Sequence, residues 1–143
     1  MGAVTDLVID ASVAIKWVIE EPGTPAALAL RRHRLFAPDL LTAECANVLW
    51  KKARRNELTA QEALLAARLL QRVDIELAPM RALLELATRL AIALDHPAYD
   101  CAHLALAESL SCDLVTADHR LSAMTLPAGG KSKVLALTTM TLP

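Results

Sequence analysis

Apolar residues recur along the chain in two patterns, short continuous runs and longer stripes with helical spacing. Short runs bounded by turn residues are typical of buried strands, and apolar positions three or four residues apart indicate amphipathic helices. The runs predict strands at 7–10, 35–37, 113–116 and 133–137, and the alternating segment DIELA predicts a further strand at 74–78. The stripes predict helices at 11–21, 26–34, 39–56, 60–72, 79–94, 99–110 and 118–124. Because strands and helices alternate, we expect an α/β fold with a parallel or mostly parallel sheet flanked by helices.

Several local signals mark where these helices begin and end. Ser12 stands where its hydroxyl could cap the first helix, and the segment from Pro22 to Pro25 breaks the chain after it. Thr59 and Glu62 have the spacing of a capping box, in which each side chain accepts a hydrogen bond from the other residue's backbone N–H. The pair His96-Pro97 ends the helix before it.

The length and composition point to one small domain. The chain has 143 residues, a common size for one domain, so we expect residues 1–143 to form a single domain. The apolar stretch at 7–19 is interrupted by Asp10 and Lys16 and is shorter than the roughly 20 residues that a membrane span needs. It also lacks the basic start and cleavage site of a signal peptide. We therefore expect a cytoplasmic protein that does not bind membranes.

The charge of the chain limits how it could bind nucleic acid. The formal net charge is −1 and the isoelectric point is about 6.4, whereas a protein that grips long nucleic acid by phosphate contacts alone is usually basic. A nucleic-acid role would therefore need a local basic patch together with metal ions. The candidates for that patch, which could equally be solvated helix ends, are Arg31, Arg32, Arg34, Lys51, Lys52, Arg54 and Arg55.

Two aspartates follow predicted strands. Asp10 closes the run LVID, and Asp118 comes two residues after the strand DLVT. In open α/β sheets, ligands bind outside the carboxyl ends of the strands. Each aspartate could instead simply cap the helix that follows it.

Two further acids lie on helices but on apolar faces. Glu44 has Leu40, Leu41 and Val48 as its helical neighbours, and Asp100 shares its face with apolar side chains as well. A carboxylate in such surroundings is costly unless it is paired or binds a metal. Glu44 could pair with a core arginine, and Asp100 could be a first-turn acid favoured by the helix dipole.

Taken together, the four acids indicate one shared pocket. Crowded carboxylates repel one another and need cations, and hard oxygen ligands favour Mg²⁺ or Mn²⁺. Ser12 and Thr116 could support such a site by hydrogen bonding to a metal-bound water or to a ligand carboxylate, or could be an ordinary cap and strand residue. His103, one turn after Asp100, could be a ligand or base, but a surface or satisfied core histidine is the commoner case.

Three segments of the chain resemble one family. They are LVIDAS at 7–12, AECANVLW at 43–50 and HPAYDCAHLALAESLSCDLVTADHRL at 96–121. With a final short strand they resemble the PIN domain, and specifically the VapC-type toxins of bacterial toxin–antitoxin pairs, over about residues 6–138. The Tyr-Asp pair followed by Leu-Ala-Leu-Ala, and then LVTAD, is the most specific part of the resemblance.

The resemblance implies a fold, a site and an activity. The fold would be a three-layer α/β/α sandwich with a mostly parallel sheet. The family's acids correspond to Asp10, Glu44, Asp100 and Asp118, and its small polar residue after the first aspartate corresponds to Ser12. The implied activity is that of a magnesium-dependent endoribonuclease, often a homodimer, which a small cognate antitoxin inhibits.

The mechanism that this suggests is hydrolysis of an RNA phosphodiester by metal-activated water, with the four acids as metal ligands and Asp10 or Asp118 as a proton acceptor. Two rivals remain open. An aspartyl-phosphate phosphatase also places an aspartate after the first strand, although it would typically want a second aspartate where this chain has Ser12. A non-catalytic module could keep the metal site and only bind RNA or a protein.

Overall fold

The computed structural model describes residues 2–124, 126 and 130–137. Its strands are β1 (Asp6–Ile9), β2 (Arg34–Pro38), β3 (Glu76–Ala78), β4 (Asp113–Thr116) and β5 (Val134–Ala136). Its α-helices are α1 (Ala11–Ala14), α2 (Thr24–Ala29), α3 (Leu40–Arg54), α4 (Ala60–Leu70), α5 (Met80–Leu94), α6 (Ala98–Leu110) and α7 (His119–Ser122). Short 3-10 turns, Ile15–Trp17 and Leu30–Arg32, extend α1 and α2.

The strands form one sheet in the order β3-β2-β1-β4-β5, and every neighbouring pair is parallel. The prediction of an α/β fold with a parallel sheet is therefore confirmed. β1 lies in the middle, with β2 on one side and β4 on the other. The chain builds outward from β1 to β3 and then returns to the opposite side of β1 with β4, so the strand order reverses between β1 and β4.

Helices cover both faces of the sheet. Because side chains alternate along a strand, Leu7 and Ile9 pack into a core with residues of α1 to α4, whereas Val8 packs with α5, α6 and α7. In β4, Val115 joins the first core and Leu114 the second. The molecule thus has the three α/β/α layers that the resemblance implied. No helix among the described residues is long and apolar enough to cross a membrane.

The first helix is shorter than predicted. It ends at Trp17 instead of residue 21, because the Trp17 indole N–H donates to the carbonyl of Ala27 at 2.8 Å and draws the chain into a turn. The Thr24 hydroxyl completes that turn, accepting from the Glu21 N–H and donating to the Ile19 carbonyl. α2 then begins inside the predicted break, since a proline in a helix's first turn costs no hydrogen bond.

The helix-start signals gave mixed results. The capping box is confirmed, since the Thr59 side chain accepts from Glu62 N–H while the Glu62 side chain accepts from Thr59 N–H. The prediction that Ser12 caps α1 is wrong: Asp10 occupies the cap position, and Ser12 lies inside the helix with its hydroxyl directed to other partners.

Candidate active site

The strand order places two of the predicted acids beside each other. Ile9 pairs with Val115 in the sheet, so the residues that follow β1 and β4 emerge together at the carboxyl edge. Open α/β sheets bind ligands in a crevice at such a reversal of strand order, and this position between the ends of β1 and β4 is here called the crevice. Asp10 and Asp118 both belong to this edge.

Asp10 is buried and is held by two hydroxyl groups. It is only 6% exposed. Ser12 Oγ donates to its Oδ1 and Thr116 Oγ1 donates to its Oδ2, each at 2.5 Å. Although Asp10 occupies the cap position of α1, its side chain makes no capping hydrogen bond. Both carboxylate oxygens therefore accept hydrogen bonds from side-chain hydroxyls and not from the backbone N–H groups of α1.

The pKa of Asp10 is raised above its ordinary value. Burial is the largest cause, and the charge of Glu44 adds to it, while the hydrogen bonds from Ser12 and Thr116 and the charge of His103 act in the opposite direction. A carboxylate that resists ionisation in this way is stabilised by a nearby cation. The electrostatics thus favour a cation beside Asp10.

Thr116 and Ser12 join the ends of the two strands. Thr116 Oγ1 accepts from the Asp118 N–H at 3.0 Å while it donates to Asp10. Ser12 Oγ accepts from the Ala117 N–H at 2.8 Å and lies 3.3 Å from Thr116 Oγ1. This network fixes the position of Asp10 relative to the backbone that carries Asp118.

Glu44 pairs with a histidine, not with the core arginine that the sequence left open. Glu44 Oε1 lies 2.6 Å from Nε2 of His103, whose side chain is fully buried. Burial lowers the pKa of His103, but the hydrogen bond and charge of Glu44, followed by the charges of Asp10 and Asp100, overcome this effect and raise the pKa. Three of the four acids therefore act on one buried imidazole.

Asp100 and Asp118 each have one defined partner. Asp100 Oδ2 lies 2.6 Å from Nε2 of His96, which precedes α6. Asp118 caps α7, accepting from the Arg120 N–H at Oδ1. The capping role left open for Asp118 is thus present, and it uses one of its two oxygens.

These carboxylates have the chemistry of a site for a hard divalent cation. They offer oxygen atoms, which Mg²⁺ and Mn²⁺ prefer, and Asp10 is a buried acid whose pKa is raised by its surroundings. In the described parts of the chain, however, no three His, Cys, Asp or Glu side chains are close enough together to hold a metal as they stand. The donor set fits such a cation, which would have to draw the carboxylates together.

The predicted basic patches lie away from this edge. Arg34 begins β2, so the segment from Arg31 to Arg34 is at the amino end of the sheet. α3 leads away from the carboxyl edge, and about 15 Å of helix separates Glu44 from Arg54. Several of these side chains have other partners: Lys52 pairs with Glu21, Arg31 stacks over Trp17 and Arg54 stacks over Trp50.

The two histidines are the site residues that sequence reasoning missed or undervalued. His96 was treated only as a helix stop, although its spacing of four residues from Asp100 was a usable signal. The sequence favours a surface or satisfied core histidine at position 103; the side chain is buried, but it contacts a site acid 59 residues away along the chain. No spacing rule within one helix could have revealed that contact.

Thiol chemistry has no support at this edge. Burial, followed by the charges of Glu44 and Asp10, raises the pKa of the Cys45 thiol to about 12. A thiol in that state is not a nucleophile at neutral pH. Cys45 and Cys101, the cysteines beside Glu44 and Asp100, are free and buried, so they act as small apolar side chains.

Comparison with known proteins gives consistent matches. The PIN domain family model matches residues 7–125. Ribonuclease VapC9 of Mycobacterium tuberculosis is 34% identical over 116 residues, which cover 81% of this chain and 88% of VapC9. Ribonuclease VapC3 of Pyrobaculum aerophilum is 37% identical over 120 residues, covering 81% of this chain and 92% of VapC3.

Two solved structures share the fold. The crystal structure of PAE2754 from Pyrobaculum aerophilum superposes with a TM-score of 0.70 at 24% identity, covering 94% of this chain and 85% of the other. Mycobacterium tuberculosis VapC20, a toxin that cleaves the sarcin–ricin loop, superposes with a TM-score of 0.61 at 16% identity, covering 87% and 95%. At these identities the superpositions support the fold alone.

Proposed function

This chain belongs to the PIN domain family, and from that premise we propose that it is a magnesium-dependent endoribonuclease and the toxin of a VapBC-type toxin–antitoxin pair. Its relatives that are more than 30% identical are VapC ribonucleases. The observation that supports catalysis in this chain is the intact edge itself. All four acids are present and each has a polar partner, and Asp10 and Asp118 follow the neighbouring strands β1 and β4.

In this proposal Asp10, Glu44, Asp100 and Asp118 hold Mg²⁺, for which Mn²⁺ can substitute. A bound divalent cation supplies Lewis-acid catalysis, polarising a phosphate oxygen and lowering the pKa of water. It also offsets the repulsion between an acidic crevice and an RNA phosphate, which the distant basic segments of this chain do not offset.

The chain's own residues supply position and proton transfer. Ser12 and Thr116 hold both oxygens of Asp10 and so fix one wall of the crevice. Asp118 is more exposed, at 32% of its side chain, and only its Oδ1 accepts a hydrogen bond from the described residues. Between the two candidates for proton acceptor, Asp118 is therefore the better placed to take a proton from an attacking water.

The proposed partners are single-stranded RNA, a small antitoxin and a second copy of this chain, all in the cytoplasm. Large apolar side chains on the outer faces of α4 and α5 support association with protein partners. Leu64, Leu84 and Ile92 are 57%, 64% and 78% exposed. A homodimer would cover part of this surface.

The test of the function is an RNA-cleavage assay in Mg²⁺, Mn²⁺ and chelator. We expect cleavage of single-stranded RNA that stops in chelator and returns with Mg²⁺. Metal-dependent RNA binding without cleavage would favour the non-catalytic module. Phosphate release from small phosphoesters with RNA left intact would favour the aspartyl-phosphate rival.

Metal is expected to stabilise the fold, and more at pH 8 than at pH 5. The raised pKa of Asp10 means that its favourable contribution to stability is lost as the pH rises from 3.8 through the raised value. The metal-free protein is therefore least stable at the pH values at which the crevice is fully ionised. At those same pH values the crevice binds cations best. At a tenfold excess over the dissociation constant, the melting temperature should rise by roughly 3–6 °C. Calorimetry at both pH values with millimolar Mg²⁺ measures this, and no shift at either pH would contradict the metal site.

Thr116→Val is expected to slow cleavage while the fold persists. Valine keeps the shape but removes the hydroxyl that donates to Asp10 and accepts from the Asp118 N–H. Losing a partner that orients a metal ligand typically costs about 10–100-fold in activity. The buried strand residue Val115 offers a control, since Val115→Ala perturbs the same strand without touching the network. Wild-type cleavage by Thr116→Val would show that the network is dispensable.

A further inference from the structure

His103 is a polar side chain in an apolar interior. It is 0% exposed, and its neighbours on α6, from Cys101 to Ala107, are buried apolar residues. A polar group in such a place is costly unless it makes a hydrogen bond. Among the residues that the structure describes, its one hydrogen bond crosses from α6 to Glu44 on α3, so the contact joins two site helices.

The hydrogen bond with His103 uses one carboxylate oxygen of Glu44 and does not involve the other. Since a carboxylate only accepts hydrogen bonds, Nε2 of His103 carries the proton and donates it to Oε1. Oε2 accepts no hydrogen bond from the residues that the structure describes, and the Glu44 side chain is 24% exposed. Glu44 thus has one held oxygen and one oxygen available to a ligand.

No other polar group among the described residues contacts the imidazole, which is otherwise held by packing. Nδ1 is buried and has no hydrogen-bond partner among those residues. Among the described residues, the ring therefore has Glu44 as its single polar contact, and Glu44 has His103 as its single polar contact. A buried ring of this kind gives a longer, flexible side chain a fixed reference point.

We propose that His103 is a positioning residue of the metal site, which holds Glu44 through Oε1 so that Oε2 is presented to a divalent cation. The proposal rests on the proposed function and adds a residue to its machinery. His103 touches neither cation nor RNA, and it acts through Glu44. The charges of Asp10 and Asp100 also act on the ring of His103.

The test compares two amides of different reach. The amide nitrogen of His103→Gln extends about as far as Nε2 and can still donate to Glu44, whereas that of His103→Asn stops near the position of Nδ1. Both replace the ring with a neutral polar group. Leu104→Ala, at a fully buried neighbouring position, is the control for destabilisation alone. Mn²⁺ binding to the RNA-free protein, measured by calorimetry and electron paramagnetic resonance, is the main readout.

We expect His103→Asn to weaken Mn²⁺ binding about 10–100-fold, and His103→Gln to stay close to wild type. In a Glu44→Gln background, His103→Asn should add little further loss, because the two residues act through one contact. Leu104→Ala should lower the melting temperature without changing Mn²⁺ affinity. Wild-type Mn²⁺ affinity in His103→Asn, equal losses in the Asn and Gln variants, or an equal loss in Leu104→Ala would overturn the proposal.

A second measurement needs no variant at His103. In ¹⁵N-labelled wild-type protein, we expect a protected imidazole Nε2 proton whose resonance moves in Glu44→Gln. Absence of that proton, or no movement, overturns the proposal even if the histidine variants do not fold. If the wild type cleaves RNA and His103→Asn binds Mn²⁺ normally, only the positioning role of His103 is ruled out. A wild type that binds no Mn²⁺ removes the metal-dependent function as well.

Discussion

Asp10→Asn is expected to lose metal-dependent ribonuclease activity by about 1000-fold or more, since the loss of even one preorganised charge-stabilising group costs about 10²–10³-fold. Asp10 is the most buried of the four acids, and both of its oxygens are held at the crevice. Asparagine keeps the shape but removes the charge that would hold the cation. Cleavage of a labelled single-stranded RNA in Mg²⁺ measures the effect, and cleavage equal to wild type would remove Asp10 from the site.

The same substitution is expected to leave the melting temperature at pH 7 unchanged or higher. Because burial raises the pKa of Asp10, the folded protein binds that proton more tightly than the unfolded chain does. The penalty for ionising Asp10 grows as the pH rises above 3.8 and is absent near pH 3. Asparagine has no such penalty, so any gain should vanish at low pH. If the variant melted far below wild type, its lost activity would be attributed to unfolding.

Co-expression with the protein encoded immediately upstream is expected to yield a stable complex with silenced cleavage. We expect that partner to be small and to place a basic side chain among the carboxylates, since an arginine guanidinium can bridge carboxylate oxygens. It would compete with Mg²⁺ for those oxygens, so inhibition should weaken as Mg²⁺ rises. Copurification followed by the cleavage assay over a Mg²⁺ series measures both effects.

An apolar groove beside the site offers a place for the rest of that partner. It has a volume of about 220 Å³ and lies between α3 and α4, with Leu41, Cys45, Leu49 and Leu70 among its lining residues. An amphipathic helix could dock in this groove, whose lining residue Cys45 directly follows Glu44 on α3. Ala46→Glu, at an exposed lining position, should abolish copurification and silencing while cleavage persists.

The exposed Ala93 on α5 gives the matched control for this groove. Ala93→Glu adds the same charge outside the groove and should leave the complex intact. If the upstream protein does not bind, or if it binds without changing cleavage, the toxin–antitoxin assignment fails while the nuclease assignment stands.

The strands and most helices could be predicted because their signals are local. Most strands are short apolar runs, β3 lies in a segment that alternates between polar and apolar residues, and the capping box needs only Thr59 and Glu62. The end of the first helix could not be predicted in the same way. It depends on a hydrogen bond from Trp17 to Ala27, ten residues later, and the apolar pattern through Ile19 gives no sign of it.

The acids could be nominated from sequence because carboxylates at strand ends and on apolar helix faces are unusual. Their partners could not. The bond from Thr116 to Asp10 spans 106 residues, and that from His103 to Glu44 spans 59. Asp100 pairs with His96 at a helical spacing, but His96 lies before the helix begins. These contacts depend on how the layers pack, which no pattern along one element contains.

The parallel pairing of β1 with β4 has a consequence for synthesis of the protein. A nascent chain of 99 residues carries Asp10 and Glu44 but lacks Asp100, Thr116, Asp118 and the strand that completes the centre of the sheet. At about 5–20 residues per second, the ribosome needs roughly 5–20 s to progress from Asp10 to Thr116. Throughout that interval the emerging polypeptide cannot form the complete proposed site, so under the proposed function we expect it to be unable to cleave RNA while it is being translated.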